Sequence, residues 1–265
     1  MAAIFVALDE SESNMEAYPA VSVGGFIATG LQWTRFASAW NAVLEPEGIE
    51  VFHSSDLETE KGRLGTVYEN WTREKREAFQ GALLQVINSN LYRDVGVGLT
   101  RKVYSQVMTG DRPERLGDIF LFSAFLTMLD TIAYSLWHFG VAPSFIVEKG
   151  GPHVGRLETA YDRLCAFPEF AEILRNTSFS KQPKSKEFPH LQAADYLVFN
   201  ASKGISHLQD FKINPANLPR IHEGKEIRAL RYPLQQIFRN FGSLKFAKID
   251  AEKLEQIVQT IEAQA

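Results

Sequence analysis

Apolar runs that switch on and off along the chain predict strands alternating with helices. Residues 3–9, "AIFVALD", make a continuous apolar run of the kind central strands show, and the run stops at the adjacent carboxylates Asp9 and Glu10. Residues 20–28, "AVSVGGFIA", predict a second strand, joined to the first as a hairpin across the polar loop Glu10–Tyr18. "IEVFH" (49–53), "DVGVGLT" (94–100) and "SFIVE" (144–148) complete a five-strand set, and "TSFSK" (177–181) adds a short edge candidate.

Helical periods lie between these runs. Helices are predicted over 33–44, 72–89, 116–138, 154–166, 189–203, 226–240 (interrupted by Pro233) and 250–263, where Asp250 can cap. In 72–89, Phe79, Ala82, Leu83, Val86 and Ile87 fall on one face; 116–138 is apolar almost all round, as a central helix is. Hairpin-linked strands followed by strand–helix alternation predict an α/β fold, a mixed sheet of about five strands with helices on both faces. The irregular stretch 207–226 divides the chain. One domain is expected over 1–206, and a linker with a helical C-terminal extension over 207–265.

Composition narrows the function classes. With 265 residues, 45% hydrophobic and 23% charged, the chain can bury a sizeable core and is not of disordered composition. The single cysteine, Cys165, excludes an intramolecular disulfide and a cysteine-based zinc site. A reducing, cytoplasmic setting is expected, with no signal peptide. The apolar stretch 131–147 is shorter than the ~20 residues of a spanning helix and contains Gly140 and Pro143, so no membrane partner is expected. Net charge is −4, but it is uneven. Residues 1–60 carry ten acidic residues and one basic, and residues 201–250 carry nine basic and four acidic. Solvated faces explain such a split, and so does an acidic metal site near a basic substrate-facing segment.

The acids with strand or helix context are the chemical candidates. Asp9 shares a strand face with Phe5 and Ala7, and a buried carboxylate needs a compensating partner. Ser11 and Ser13 also allow Asp9 a turn-capping role. Glu148 ends an apolar strand before a glycine turn; it would lie beside Asp9 if the two strands were parallel neighbours. Asp195 falls on one helical face with Leu191 and Val198, where it either points at the core or a site on the sheet or stands partly exposed beside the stripe, bonded to Gln192 or to a lysine. His53 and Asp56 follow the third strand candidate as accessory residues, with structural roles equally open to them. Lys181, Lys184 and Lys186 precede the Asp195 helix, in a loop that is either simply solvated or contacts phosphate. "EKGGPHVGR" (148–156) reads as a tight turn or a phosphate cradle, without the residues of a P-loop. Oxygen ligands without cysteine suit Mg²⁺ or Mn²⁺.

These segments resemble a known family. "FVALDESES" followed by "VSVGGFIA" is similar to the "hhhDESG…hhhGG" opening of domain-of-unknown-function family 3800. "FHSSDLE" resembles that family's "fHatdh", and "FSKQPKSKEFPHLQAADYLVFNASK" resembles its closing "sk.s.gLQlADllAy". The matches span about residues 3–203. The resemblance implies a ribonuclease H-like fold and a metal-dependent nuclease acting on nucleic acid of unspecified type. It places metal-binding acids at Asp9, Glu10, Glu148 and Asp195, catalytic roles at Asp9, Glu148 and Asp195, and accessory residues at His53 and Asp56. Two-metal hydrolysis of a phosphodiester is the implied reaction. Glu148 stands where aspartate is more usual, "DESES" lacks the glycine, and "DVGVGLT" ends without a carboxylate. A degenerate binding or assembly module is therefore the alternative. A haloacid-dehalogenase-type phosphotransferase with Asp9 as nucleophile is the third, although Ser11 stands where its motif has a second aspartate.

Overall fold

The computed structural model describes residues 3–13, 19–57, 64–207, 247–248 and 250–263. Strands β1 (Ile4–Ser13) and β2 (Ala20–Thr29) pair antiparallel over ten residues each, with Asp9 opposite Gly24. β3 (Arg93–Thr100) pairs antiparallel with β2. On the other side of β1, β4 (Ser144–Glu148) runs parallel to it, Leu8 opposite Val147, and β5 (Phe179–Gln182) is parallel to β4. Two residues, β6 (Ala247–Lys248), add to β3 in parallel. The order β5-β4-β1-β2-β3-β6 is the ribonuclease H-like arrangement of a mixed sheet, extended by one short strand at the β3 edge.

Ten α-helices are described: α1 (Gly30–Leu44), α2 (Ser54–Leu57), α3 (Arg73–Asn90), α4 (Arg101–Val107), α5 (Arg112–Leu116), α6 (Ile119–Phe139), α7 (Val154–Ala166), α8 (Pro168–Leu174), α9 (Pro189–His207) and α10 (Ala251–Glu262). Strand alternation assigns the two faces of the sheet. Ile4, Val6 and Leu8 enter one core with α6, α7 and α10. Ala7 enters a second core with Trp33, Phe36 and Trp40 of α1, Phe79 and Leu83 of α3, and Leu191 of α9, and Phe5 packs against it. Asp9, in phase with Phe5 and Ala7, therefore points toward α9. Helix ends follow local chemistry: Thr29 and Gln32 form a capping box for α1, Asp118 caps α6, and Asp250 caps α10 as expected.

Several expectations change. Residues 49–53 are not a strand. Gly48, left-handed at φ 69°, closes the preceding helical turn, and the Phe52 N–H goes to the side chain of Gln192 rather than to a ladder. The long helix predicted over 116–138 starts at 119, because Gly117 at φ 98° separates it from α5. Asp9 does not end its strand, since the β1–β2 ladder continues to Ser13. The turn-capping role for Asp9 falls with that. The proposed linker and the 226–240 helix lie outside the described residues, as does most of the basic stretch 201–250. α6 is long and apolar enough to cross a membrane, but 89% of its most apolar window is buried inside the fold.

Within α6, Asp130 is a buried acid. Arg93, which lies over the Tyr134 ring, approaches it only to 3.9 Å, and its Oδ2 has no hydrogen-bond partner among the described residues. Burial pushes its pKa up to about 6, with Arg93 lowering it and Asp94 raising it. The unfolded carboxyl titrates at ~3.9, so the folded state retains a proton that the unfolded state has lost as pH rises from about 4 to about 6. Stability falls through that window, by about 3 kcal/mol at most. Asp130→Asn should raise stability at pH 7 by about 1–3 kcal/mol and change little at pH 4. Urea midpoints at the two pH values check this, and a loss at pH 7 would assign Asp130 a stabilising ion pair instead.

Candidate functional site

The parallel β1–β4 pairing runs out at Leu8 and Val147, so Asp9 and Glu148 emerge together at the carboxyl end of β4. α9 crosses the same face and brings Asp195 to them. The three acids meet at one point, and that point is the ammonium of Lys184. Its Nζ lies 3.1 Å from Asp9 Oδ2, 2.9 Å from Glu148 Oε2 and 3.2 Å from Asp195 Oδ1. The Lys184 side chain is 5% exposed and that of Asp9 6%. The remaining aspartate oxygens are also engaged. Asp9 Oδ1 accepts from the Glu10 N–H at 2.9 Å, and Asp195 Oδ2 accepts from the Ser54 N–H at 2.8 Å.

The electrostatics follow from burial and crowding. Burial holds the Asp9 carboxyl well above the usual carboxylate range; Lys184 pulls it down, and Asp195, Glu10 and Glu148 push it up again. Glu10 is raised mainly by burial, against the bond it accepts from His153. Burial opposes the charge on Lys184, but Asp9, Asp195 and Glu148 together raise its pKa above the usual lysine value. Lys184 is thus a fixed cation, and Asp9, its carboxyl raised by burial, is poised to give up its proton when more positive charge arrives.

Glu10 is the next residue along β1, and its carboxyl stays close enough to Asp9, Glu148 and Lys184 to interact with all three. Its Oε1 accepts from the His153 N–H at 3.3 Å, at the start of α7. A Cβ at Gly151 would lie 3.1 Å from that oxygen, so the "GGPH" turn is shaped around Glu10. The amide that could have cradled a phosphate is bonded to a carboxylate of the chain itself. Between His53 and Asp56, the Ser54 N–H makes the contact to Asp195. Asp56 lies near Tyr68, whose pKa is raised by burial and by the charges of Asp56 and Asp195. The hydroxyls of Tyr68 and Ser54 are buried without a partner among the described residues.

The three lysines do not form one surface. Lys184 is in the cluster, Lys181 pairs with Glu158 at 2.7 Å, and Lys186 pairs with Glu45 at 2.9 Å, the last two as exposed ion pairs of small energetic weight. Sequence reasoning placed Lys184 in a substrate-facing loop and missed its position among the acids.

It also gave Gln192 no more than a local bond. Gln192 is fully buried; its Oε1 accepts from Trp40 Nε1 at 3.1 Å and from the Phe52 N–H at 2.9 Å, and its Nε2 donates to Ser185 O at 2.8 Å. It ties α1, the segment before α2 and the Lys184 loop to the helix that carries Asp195. Its place three residues before Asp195 was the available signal. Gln192→Leu should cost about 2–3 kcal/mol, because two buried N–H donors lose their acceptor. Denaturant midpoints and the environment of Trp40, read by fluorescence, check it.

Among the described residues, no three His, Cys, Asp or Glu side chains stand ready-arranged to hold a metal ion. The spacing is that of an ammonium: its acceptors lie at about 3 Å, whereas oxygens around Mg²⁺ lie at about 2.1 Å. The donor set itself, all oxygen, fits a hard divalent cation. No protein-family model matches the chain, and no curated protein matches it.

Proposed function

We propose that the protein is a divalent-metal-dependent hydrolase of phosphodiester bonds in nucleic acid. The observation that carries this reading is the convergence of Asp9, Glu148 and Asp195, from three distant stretches of chain, at the carboxyl end of the central strands of a ribonuclease H-like sheet. The resemblance to domain-of-unknown-function family 3800 supports the same reading. Asp9, Glu148 and Asp195, with Glu10 adjoining, would hold Mg²⁺ or Mn²⁺, which supplies an activated water and charge stabilisation at the phosphate. The chain's own residues keep the acids assembled: Lys184 offsets their repulsion, and the Ser54 and Glu10 amides fix the two aspartates. An open cleft of about 570 Å³, lined by Pro19, Arg101, Lys102, Tyr104, Asp118 and Ile119 among others, lies where β2 begins and β3 ends. A cytoplasmic location belongs to this reading.

The test is cleavage of a panel of single- and double-stranded DNA and RNA in Mn²⁺, with EDTA as control. Metal-dependent cleavage supports the proposal, and its absence across the panel sinks it. One observation favours a second reading, a binding or assembly module: the ammonium already fills the centre of the acidic cluster. Nucleic-acid binding that is unchanged by EDTA, without cleavage, is its signature.

A further inference from the structure

We propose that Lys184 is the resident second cation of the carboxylate cluster, so that the site takes one divalent ion beside the ammonium rather than two ions. This rests on the metal-dependent reading above and specifies how that site is loaded.

Three features carry it. The ammonium has three N–H donors and three carboxylate oxygens at 2.9–3.2 Å, so its bonding capacity is filled by Asp9, Glu148 and Asp195. Its loop is held on both sides: before it the Lys149 N–H donates to Gln182 O at 2.8 Å, and after it Gln192 Nε2 donates to Ser185 O at 2.8 Å and Asn41 Nδ2 to Lys186 O at 3.2 Å. The lysine is therefore built into the cluster, unlike Lys181 and Lys186, which form exposed pairs. Charge then sets what else can enter. Four carboxylates, Asp9, Glu10, Glu148 and Asp195, face one ammonium, leaving an excess of three negative charges when all are ionised. One divalent ion brings that close to neutrality; two would reverse its sign with the ammonium in place. The ammonium then presents the fixed positive charge that a second ion would otherwise supply to the phosphate.

The experiment is a Mn²⁺ titration of the whole chain by calorimetry and equilibrium dialysis, for wild type, K184Q and K184R. Wild type and K184R are expected to bind one ion, and K184Q two. K184Q should also melt roughly 5–10 °C lower without metal and regain that loss in Mn²⁺, which a merely structural lysine would not produce. Two ions on wild type overturn the inference, as does one ion of equal affinity on all three proteins. Should K184Q fail to fold, the wild-type stoichiometry decides. One bound ion without cleavage keeps the inference and removes the nuclease reading. Two bound ions with cleavage do the reverse, and no bound ion on any of the proteins removes both.

Discussion

Asp9→Asn is expected to lower Mn²⁺-dependent cleavage on the order of 10³-fold or more, while leaving the metal-free protein at least as stable as wild type. The two halves have one cause. Asp9 is buried among three other acids, and burial holds its pKa well above the ordinary range. From the unfolded value of ~3.9 up to that raised value, the folded state keeps a proton that the unfolded state has released. Stability of the metal-free wild type therefore falls as pH rises through the window. Asparagine cannot ionise, and its oxygen can still accept from Lys184, so the variant should show no such fall. The two proteins should converge at the acid end and separate toward neutrality, with the variant the more stable. Saturating Mn²⁺ should then raise the wild-type melting temperature and leave that of Asp9→Asn unmoved. A marked loss of metal-free stability at neutral pH would show that the Asp9–Lys184 pair stabilises the fold in its own right.

What the sequence revealed of this site depended on how local each feature is. The apolar strings leading to Asp9 and Glu148 are visible in a single pass, because a strand buried on both faces reads as a continuous run. Their meeting is not visible, since parallel neighbours are joined through distant crossovers and no pattern in either strand names its partner. The face of Asp195 was legible from the spacing of Leu191 and Val198, both fully or almost fully buried. Lys184 carried no periodic signal, because a loop residue's direction is set by what anchors the loop, here Gln192 and Asn41.

The same distinction explains the fold-level differences. "IEVFH" has strand composition, yet its Phe52 N–H found a side-chain acceptor on α9 instead of a neighbouring strand. α4, α5 and α8, five to seven residues long, are too short for a helical period to emerge. Their starts are set by Thr100, Pro113 and Pro168, local signals that a search for amphipathic stretches passes over.

Gly25→Ala is expected to destabilise the protein by about 4 kcal/mol or more, the largest single-residue loss foreseen here. Gly25 stands in the middle of the sheet, opposite Leu8 of β1 and Val95 of β3. A Cβ there would lie 1.7 Å from Ala7 O, 2.8 Å from Ala7 C and 3.1 Å from Leu8 Cα. All three atoms are backbone, so no side-chain rotation relieves the overlap; β1 itself must move away from β2. The next residue along β1 is Asp9. Displacing it separates the acid from Glu148 and from Lys184, whose contacts depend on the β1–β4 register. Any Gly25→Ala protein that still folds should therefore also lose its response to Mn²⁺, linking sheet packing to the site. Gly81→Ala is the control. Gly81 lies inside α3 with nothing within 4 Å of its Cβ position, so the same substitution should gain about 0.5–1 kcal/mol from helix propensity. Urea midpoints of the two variants should thus move in opposite directions. If Gly25→Ala unfolds within about 1 kcal/mol of wild type, β1 and β2 do not approach as closely as described, and the position of Asp9 must be drawn again.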